Sequence, residues 1–295
     1  MKKIFLATIS FLALTACNVS GVDQDDIAEG TGNDSIKANS SKQGDEEAED
    51  LNELLTDTIN GQPNDMVYQS KDGLRVEWKK KTDNPKIGPR DVALVNYHAR
   101  VAGGEEYDNN DEIGFPVPLK GGIGMMIEGW EKGIQQMAKG DEGRIMIPNA
   151  LAYGEDGYLT IVPPNADIIV DIEIVDVIEP IALDEGVKVY KWKEVPGGKV
   201  AEKNQTITFD YFAYHTGEGA HMYDNSFKNQ TPFSFKFEND NVMDGLHIGM
   251  QVVKQGENAF IEIPSKLAYG KKGLVDLVPS NRDVVYDVRV ISIND

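Results

Sequence analysis

The chain has 295 residues, enough for about two domains, and its net charge is −20. This acidic balance disfavours nucleic acid as a partner, because phosphates bind to basic surfaces. The single cysteine excludes an internal disulfide framework and any metal site built from several cysteines.

The first residues have the features of an export signal. Two lysines precede an apolar run over residues 4–14, and the segment ends in "LTAC" at Cys17. A basic start, a short apolar run and a small residue at the cleavage point are typical of signal peptides. The last four letters resemble the bacterial lipobox, in which the cysteine is lipidated and becomes the first residue. We therefore predict a lipoprotein signal peptide at 1–16 and a membrane anchor at Cys17. The alternative is an ordinary secretory signal with an accidental cysteine.

Residues 17–65 are predicted to form an acidic, flexible tether. Between residues 18 and 60 there are twelve Asp and Glu against two Lys, which is half of the net charge. Few apolar residues and many like charges do not offset the entropy lost on ordering. One alternative is an acidic tail that binds a basic partner. Another is a surface-sorting signal of the kind that some outer-membrane lipoproteins carry after the cysteine, to which "VDQDD" is similar.

Strand and helix patterns begin after the tether. "DVALVNYHARV" from Asp91 is strand-like and leads to a turn at Gly103-Gly104. In "IEGWEKGIQQM", from Ile127 to Met137, apolar residues recur on one face of a short helix. "DEGRIMIP" from Asp141 and "DIIVDIEIVDVI" from Asp167 are again strand-like. These patterns predict an antiparallel sheet with one short helix packed against it, which is an α+β fold.

The pattern then occurs a second time. "IPNALAYG" at Ile147 and "IPSKLAYG" at Ile263 lie 116 positions apart, and no gap is needed between the copies from Met125 onward. Further upstream "NYHARV" from Asn96 aligns with "DYFAYH" from Asp210, with two residues inserted at the glycine turn. A fixed offset indicates duplicated units. We predict two domains, at 66–180 and 181–295, joined by a short connector that places them side by side.

Four phrases of the first unit together resemble the FKBP family of peptidyl-prolyl cis-trans isomerases: "YHARVAGGEEYDNN", "MIEGWEKGIQQMAKGDEGRIMIP", "ALAYGEDGY" and "IVPPNADIIVDIEIVDV". The resemblance covers the first unit throughout and the second more weakly. It implies two FKBP-like domains, each a half-barrel sheet wrapped on its helix, and an isomerase that uses no cofactor.

The resemblance also implies a pocket in the first unit. Its catalytic positions are Tyr97, Asp108, Trp130 and Tyr153, with Trp130 as the floor and Asp108 directed at the reacting carbonyl. Its substrate-binding positions are Tyr107, Phe115, Met126, Ile127, Tyr158, Ile161, Val162 and Val170, and the backbone N–H of Ile127 is the expected donor to substrate. Val170 departs from the pattern, since the family usually has an aromatic residue there, and Tyr158 stands where histidine is frequent.

The second unit has an equivalent but degenerate set. The matching positions are Tyr211, Tyr223, Asp224, Phe233, Val242, Met243, Leu246, Tyr269, Leu277, Val278 and Tyr286. Leu246 stands where the first unit has its tryptophan, whereas Tyr286 keeps the aromatic residue of the last strand. We therefore expect each pocket to have lost a different aromatic wall. We also expect the first unit to carry most of the turnover.

These residue types suit isomerisation, which needs no nucleophile. The barrier about an Xaa-Pro bond comes from amide resonance, and an apolar pocket favours the less polar, twisted transition state. Aromatic residues at such spacings are also common in plain hydrophobic cores; their joint occurrence in family order favours the pocket. A metal site is not expected, because His98, His215, His221 and His247 lack close ligand spacing. The glycines of "KGGIGMMIEGW" are not followed by the Lys-Ser or Lys-Thr of a phosphate-binding loop.

We expect an isomerase that acts on Xaa-Pro segments of exported or outer-membrane proteins, held by its lipid on the outer membrane of a Gram-negative bacterium, on the periplasmic or the surface face. The alternative is a chaperone, or an accessory subunit of a secretion or surface-protein complex, whose pockets hold peptide without turnover.

Overall fold

The computed structural model describes residues 66–295, so the predictions for the signal peptide, Cys17 and the tether lie outside the described residues. The described chain forms two seven-stranded antiparallel sheets, each with one short α-helix. The predicted α+β class with two similar units is confirmed.

The first sheet has the order β1-β2-β6-β7-β3-β4, and β5 pairs with β3. Its strands are β1 (Val67–Gln69), β2 (Arg75–Lys80), β3 (Val92–Val101), β4 (Glu106–Asn109), β5 (Val117–Lys120), β6 (Glu142–Ile147) and β7 (Ile168–Ile178), and its helix is α1 (Glu128–Ile134). Along β3, Val95, Tyr97 and Ala99 are buried, whereas the residues between them are partly exposed. This period of two directs the buried set onto α1 and the core.

The second sheet has the order β11-β10-β14-β13-β9-β8, and β12 pairs with β10. Its strands are β8 (Ile181–Ala182), β9 (Lys188–Lys193), β10 (Thr206–His215), β11 (Met222–Asn225), β12 (Phe233–Lys236), β13 (Asn258–Ile263) and β14 (Val284–Asn294), and its helix is α2 (Asp244–Met250). The duplicated sequence therefore builds the same strand arrangement twice.

Helix α1 is shorter than the apolar pattern over 127–137 predicts. After Gln135 the chain continues in tighter turns, in which Gln136 N–H donates to Gly133 O and Met137 N–H donates to Ile134 O. Such turns satisfy carbonyl groups at the helix end and keep a side chain three residues on near the same face. Met137 is accordingly fully buried although it lies beyond the helix.

Glycine allows each helix to lie close to its sheet. A Cβ on Gly129 of α1 would stand 2.2 Å from Ile147 Cγ2, and a Cβ on Gly245 of α2 would stand 2.1 Å from Ile263 Cγ2. Both contacts are far shorter than carbon atoms tolerate. The pairing of these glycines in the sequence repeat therefore reflects the same close packing in both units.

The two units pack tightly against each other. The outer face of the second sheet buries Tyr190, Tyr214 and Phe260 against Ile123 and Met125 of the first unit. Burial of large aromatic and apolar side chains contributes roughly 2 kcal/mol each. The first unit therefore covers an apolar face that would be exposed on the second unit alone.

A polar seam borders this apolar contact. Lys120 is fully buried, lies 4.2 Å from the centre of the Tyr190 ring, and has its Nζ 3.1 Å from Glu262 Oε2. Burial lowers the pKa of Lys120, and Glu262 opposes that change. Arg90 reaches Glu262 at 3.1 Å and Asp283 at 3.3 Å. These four charged groups, two from each unit, pair across the boundary and fix the orientation of the units as well as their contact.

Candidate active site

The pocket of the first unit is built on a tyrosine and a tryptophan in direct contact. Tyr97 projects from β3 and Trp130 from α1, with ring centroids 5.0 Å apart in an edge-to-face arrangement. Both side chains are buried. Aromatic pairs in this geometry gain about 0.5–1.5 kcal/mol beyond the area they bury. The pair forms a rigid aromatic surface at the place where the sequence predicts the inner end of the pocket.

Asp108 of β4 fixes the hydroxyl of Tyr97. The Tyr97 O–H donates to Asp108 Oδ2 at 2.8 Å, and Asp108 is itself buried. Burial, together with the neighbouring carboxylate, raises the pKa of Tyr97 far above its ordinary value, so the phenol keeps its proton. The pocket therefore has one carboxylate beside two large rings.

A second group of tyrosines lies around the outer part of the pocket. Tyr107 is partly buried, and burial together with a hydrogen bond to Tyr153 raises its pKa well above the ordinary range. The rings of Tyr153 and Tyr158 stack at 5.1 Å. Their loop is anchored by Asp167, whose Oδ1 accepts from Asn149 N–H at 2.7 Å. The phrase "IPNALAYG" thus forms the turn that presents Tyr153 beside Tyr107.

The N-terminus of α1 supplies the expected backbone donor. Ile127 is the N-cap, with φ −62° and ψ 150°, and its carbonyl accepts from Trp130 and Glu131 N–H. Its own N–H makes no hydrogen bond with another described residue. An amide N–H left unpaired beside an apolar pocket is available to a substrate carbonyl.

The remaining predicted residues of the first unit divide by burial. Met126, Ile127, Val162 and Val170 are buried and belong to the core around the pocket. Phe115 and Ile161 are 53% and 40% exposed and do not belong to it. The structure therefore buries four of these side chains in the core and leaves Phe115 and Ile161 exposed.

Asn110 is a buried positioning residue that sequence reasoning missed. Its Oδ1 accepts from Tyr97 N–H at 2.8 Å, and its Nδ2 donates to Phe115 O at 3.1 Å. The matching residue of the second unit, Ser226, accepts from Tyr211 N–H through Oγ at 3.1 Å. The repeated "YDNN" and "YDNS" carried this signal, since a short polar residue follows the Tyr-Asp pair twice.

The second pocket keeps the tyrosine–aspartate bond and changes the floor. Tyr211 O–H donates to Asp224 Oδ2 at 2.6 Å. Leu246 is buried at the position of the tryptophan, with Val242, Met243 and Tyr269 packed against the same core. Phe233 is 40% exposed, yet its ring meets Tyr211 at 6.3 Å; Leu277 is exposed and Val278 is buried.

Tyr286 of β14 is an aromatic neighbour of Tyr211 in the second pocket. Its ring lies 5.6 Å from that of Tyr211, and its hydroxyl accepts from Tyr223 at 3.1 Å. Tyr223 O–H is also 3.5 Å from the hydroxyl of Tyr269. Tyr97 thus packs on a ring from the helix, whereas Tyr211 packs on the rings of Tyr286 and Phe233. The hydroxyl groups of Tyr269 and Tyr286 both lie within 3.5 Å of the Tyr223 hydroxyl.

Neither a metal cluster nor a spanning helix is found in the part of the chain that the structure describes. Among residues 66–295, no three His, Cys, Asp or Glu side chains are grouped to hold a metal ion. In the same residues, no helix has the length and hydropathy needed to cross a bilayer.

Comparison with known proteins identifies the family. The family model described as FKBP-type peptidyl-prolyl cis-trans isomerase matches residues 84–175 and again 197–291. The chain therefore belongs to this family of isomerases and contains two units of it.

Two relatives are themselves named as isomerases of this type. Peptidyl-prolyl cis-trans isomerase FPR2 of Saccharomyces cerevisiae is 37% identical over 93 residues, which is 31% of this chain and 69% of the yeast protein. Peptidyl-prolyl cis-trans isomerase FKBP10 of Bos taurus is 25% identical over 217 residues, which is 72% of this chain and 36% of the bovine protein. Among solved structures, the three FKBP domains of wheat FKBP73 align with 23% identity, 77% coverage of this chain, 98% coverage of that chain and a TM-score of 0.39.

Proposed function

We propose that the protein catalyses cis-trans isomerisation of Xaa-Pro bonds in exported proteins, and that the first unit performs most of the turnover. The observation that carries this assignment is the enclosed contact of Tyr97 with Trp130 beside the unpaired N–H of Ile127. The Tyr-Trp surface holds the proline ring, and the N–H holds the backbone of the substrate in place.

The proposed reaction needs no nucleophile and depends on the low polarity of the pocket. Rotation decouples the amide nitrogen from its carbonyl, which makes the twisted state less polar than the planar one. A dry apolar wall favours the twisted state, and this differential binding lowers the barrier of about 18–20 kcal/mol without a covalent step. Asp108 lies where it can interact with the rotating carbonyl's dipole, while its bond to Tyr97 keeps it oriented.

The second pocket is less suited to this reaction. Tyr286 brings a hydroxyl next to Tyr211, and the hydroxyl groups of Tyr223 and Tyr269 lie beside it. Leu246 also gives a proline ring a smaller floor than Trp130 does, so the ring is held less firmly and the rate advantage shrinks. The second unit then acts mainly as a peptide-binding or supporting element. This keeps the alternative of a binding protein open for that unit.

The same aspartate in both units gives a matched test of this division of labour. Asp108→Ala and Asp224→Ala each remove the acceptor of a tyrosine hydroxyl. In exchange spectroscopy on a short Ala-Xaa-Pro peptide, we expect Asp108→Ala to reduce the catalysed rate at least tenfold and Asp224→Ala to leave it within twofold. The reverse order would assign turnover to the second unit. An unaltered exchange rate with the parent protein, combined with suppression of aggregation of a client, would favour the binding protein.

We also propose that the protein is anchored by a lipid on Cys17 to the outer membrane of a Gram-negative bacterium. The basic start, the apolar run and the "LTAC" ending support this anchor. Several acyl chains on one residue are sufficient for stable attachment, at about 0.8 kcal/mol per buried methylene. Cys17→Ser is expected to move the protein from the membrane fraction to the soluble fraction. Persistence in the membrane fraction would contradict the anchor.

A further inference from the structure

A cleft of about 1060 Å³ lies between the two units and opens from the mouth of the first pocket. Met126, Ile127 and Ala152 line the cleft and also pack on the core around the first pocket. Opposite them, the second unit supplies the hairpin tip at 216–220 and the loop at 281–283. Pockets for single small ligands measure about 300–1,000 Å³. The volume is therefore sufficient for several residues of an extended chain beside the proline site.

The far wall of the cleft is held in a fixed position. A Cβ on Gly124 of the first unit would stand 2.1 Å from Ala220 O of the hairpin tip, so the two backbones are in close contact there. Arg90 bridges the units through Glu262 and Asp283. A wall fixed by backbone contact and ion pairs binds a chain at a lower entropic cost than a mobile one does.

Most of the acidic groups in the cleft are already engaged. Asp283 pairs with Arg90 at 3.3 Å and its Oδ1 accepts from Ser265 N–H at 2.9 Å. Glu131 accepts from Gly122 N–H at 2.7 Å, and Glu128 pairs with Lys132 at 2.8 Å. These carboxylates shape the cleft, and they also disfavour a polyanion as its occupant.

Arg282 is different, because its guanidinium makes no hydrogen bond or ion pair with another described residue. It is partly buried, and its Nη1 would lie 2.1 Å from a Cβ on Gly217, so the guanidinium lies directly against the backbone of the hairpin tip. Glu218 at the hairpin tip is exposed and competes weakly for the guanidinium. A partly enclosed guanidinium binds carboxylates in a bidentate, charge-assisted manner.

We propose that this cleft binds the segment of substrate polypeptide next to the Xaa-Pro bond and that Arg282 pairs with a carboxylate of that segment. The second unit then determines specificity for the reaction of the first: it selects extended chains with Asp or Glu near the proline. This proposal rests on the proposed function, since the first pocket must hold the proline.

The test compares three peptides with the protein that begins at residue 18. One is a short Ala-Xaa-Pro peptide, and the others extend it by four residues on each side, with either Glu or Gln at one added position on each side and neutral residues elsewhere. At low ionic strength we expect kcat/KM for the Glu peptide to exceed that for the Gln peptide at least threefold. Salt at 0.5 M should reduce this ratio towards one, since the Debye length then falls to a few ångströms.

Variants assign the preference to Arg282. Arg282→Gln is expected to bring the Glu/Gln ratio to about one, and Arg282→Glu to favour a peptide with Lys at the same positions. Arg100→Gln is the matched control, because its guanidinium lies on the outer face of the first sheet and pairs with Asp171; the ratio should be unchanged.

Different results would contradict the proposed function and the cleft proposal. No catalysis of the short peptide would overturn the proposed function. Catalysis with a Glu/Gln ratio near one in the parent protein would overturn the cleft proposal alone, and so would a ratio that survives Arg282→Gln.

Discussion

The outer faces of the two sheets occupy matching positions but differ completely in chemistry. On the first sheet, Arg100 and Arg144 both bind Asp171, at 3.1 and 2.7 Å, and all three remain partly accessible to water. On the second sheet, Tyr214 and Phe260 stand in place of the arginines and are buried against the first unit. Strand register equates the positions, since Arg144 pairs with Asp171 and Phe260 with Asp287. The same backbone thus carries charges where water covers it and aromatic rings where a neighbouring unit covers it.

Asp287 is an acidic residue on the covered outer face of the second sheet. It is fully buried, its Oδ1 accepts from Trp192 Nε1–H at 3.1 Å, and Arg289 Nη2 is 3.8 Å from its Oδ2. Burial raises its pKa to about 6, although Arg289 and Trp192 oppose the shift. Asp171 has two arginine partners, whereas Asp287 has a longer contact with Arg289 and a hydrogen bond from the Trp192 indole.

The largest expected effect comes from placing a carboxylate at matching positions of the two faces. Tyr214→Glu puts a charge next to buried Asp287, and an uncompensated buried charge costs about 3–5 kcal/mol. Arg100→Glu makes the equivalent change beside Asp171 at the surface, where the loss should stay within about 1 kcal/mol. Urea unfolding followed by tryptophan fluorescence measures both. Equal losses would mean that the second face is not covered by the first unit in solution.

The fold could be predicted from sequence where periodicity and duplication agree. The strand patterns from Asp91, Asp141 and Asp167 correspond to β3, β6 and β7, and the offset of 116 gives the second sheet. The edge strands β1, β8 and β12 lacked a comparable signal, because two to four residues do not establish a period. Helix α1 ends early because its last turns tighten, which an apolar pattern does not reveal.

The candidate site could be predicted in part. Residues joined by a short-range pattern, such as Tyr97 with Asp108, are brought together. The contact between Tyr286 and Tyr211 joins strands β14 and β10, which is a tertiary effect with no local signature. The cleft wall at Arg282 could not be predicted either, since it requires the orientation of one unit on the other.

The next effect in size concerns pH. The pKa of Asp287 is raised from 3.8 to about 6 in the folded protein, so the folded state holds its proton more tightly than the unfolded state does. Stability therefore falls as the pH rises from about 4 to 6, and the cost, roughly 3 kcal/mol at most, persists above that range.

Asp287→Asn should raise the free energy of unfolding at pH 8 by about 1–3 kcal/mol and change it little at pH 4. Asp171→Asn, the matched variant, should lower stability slightly at pH 8. A loss of stability in Asp287→Asn at pH 8 would show that Arg289 compensates the buried carboxylate.

The smallest expected effect concerns the aromatic residue in which the two pockets differ. Trp130→Leu gives the first pocket the floor of the second, and Tyr286→Val gives the second pocket the last-strand residue of the first. The indole of Trp130 is buried against Tyr97 at 5.0 Å, so its loss removes most of the rigid surface that holds a proline ring. If about 1.4 kcal/mol of that contact is felt at the transition state, kcat/KM for a short Xaa-Pro peptide falls tenfold.

Tyr286→Val changes a pocket to which little turnover is assigned, so the rate should stay within twofold. Far-UV circular dichroism of both variants checks that a lost rate is not lost fold. A greater loss from Tyr286→Val than from Trp130→Leu would mean that an aromatic residue delivered by the last strand serves the reaction better than one delivered by the helix, and would place the main catalyst in the second unit.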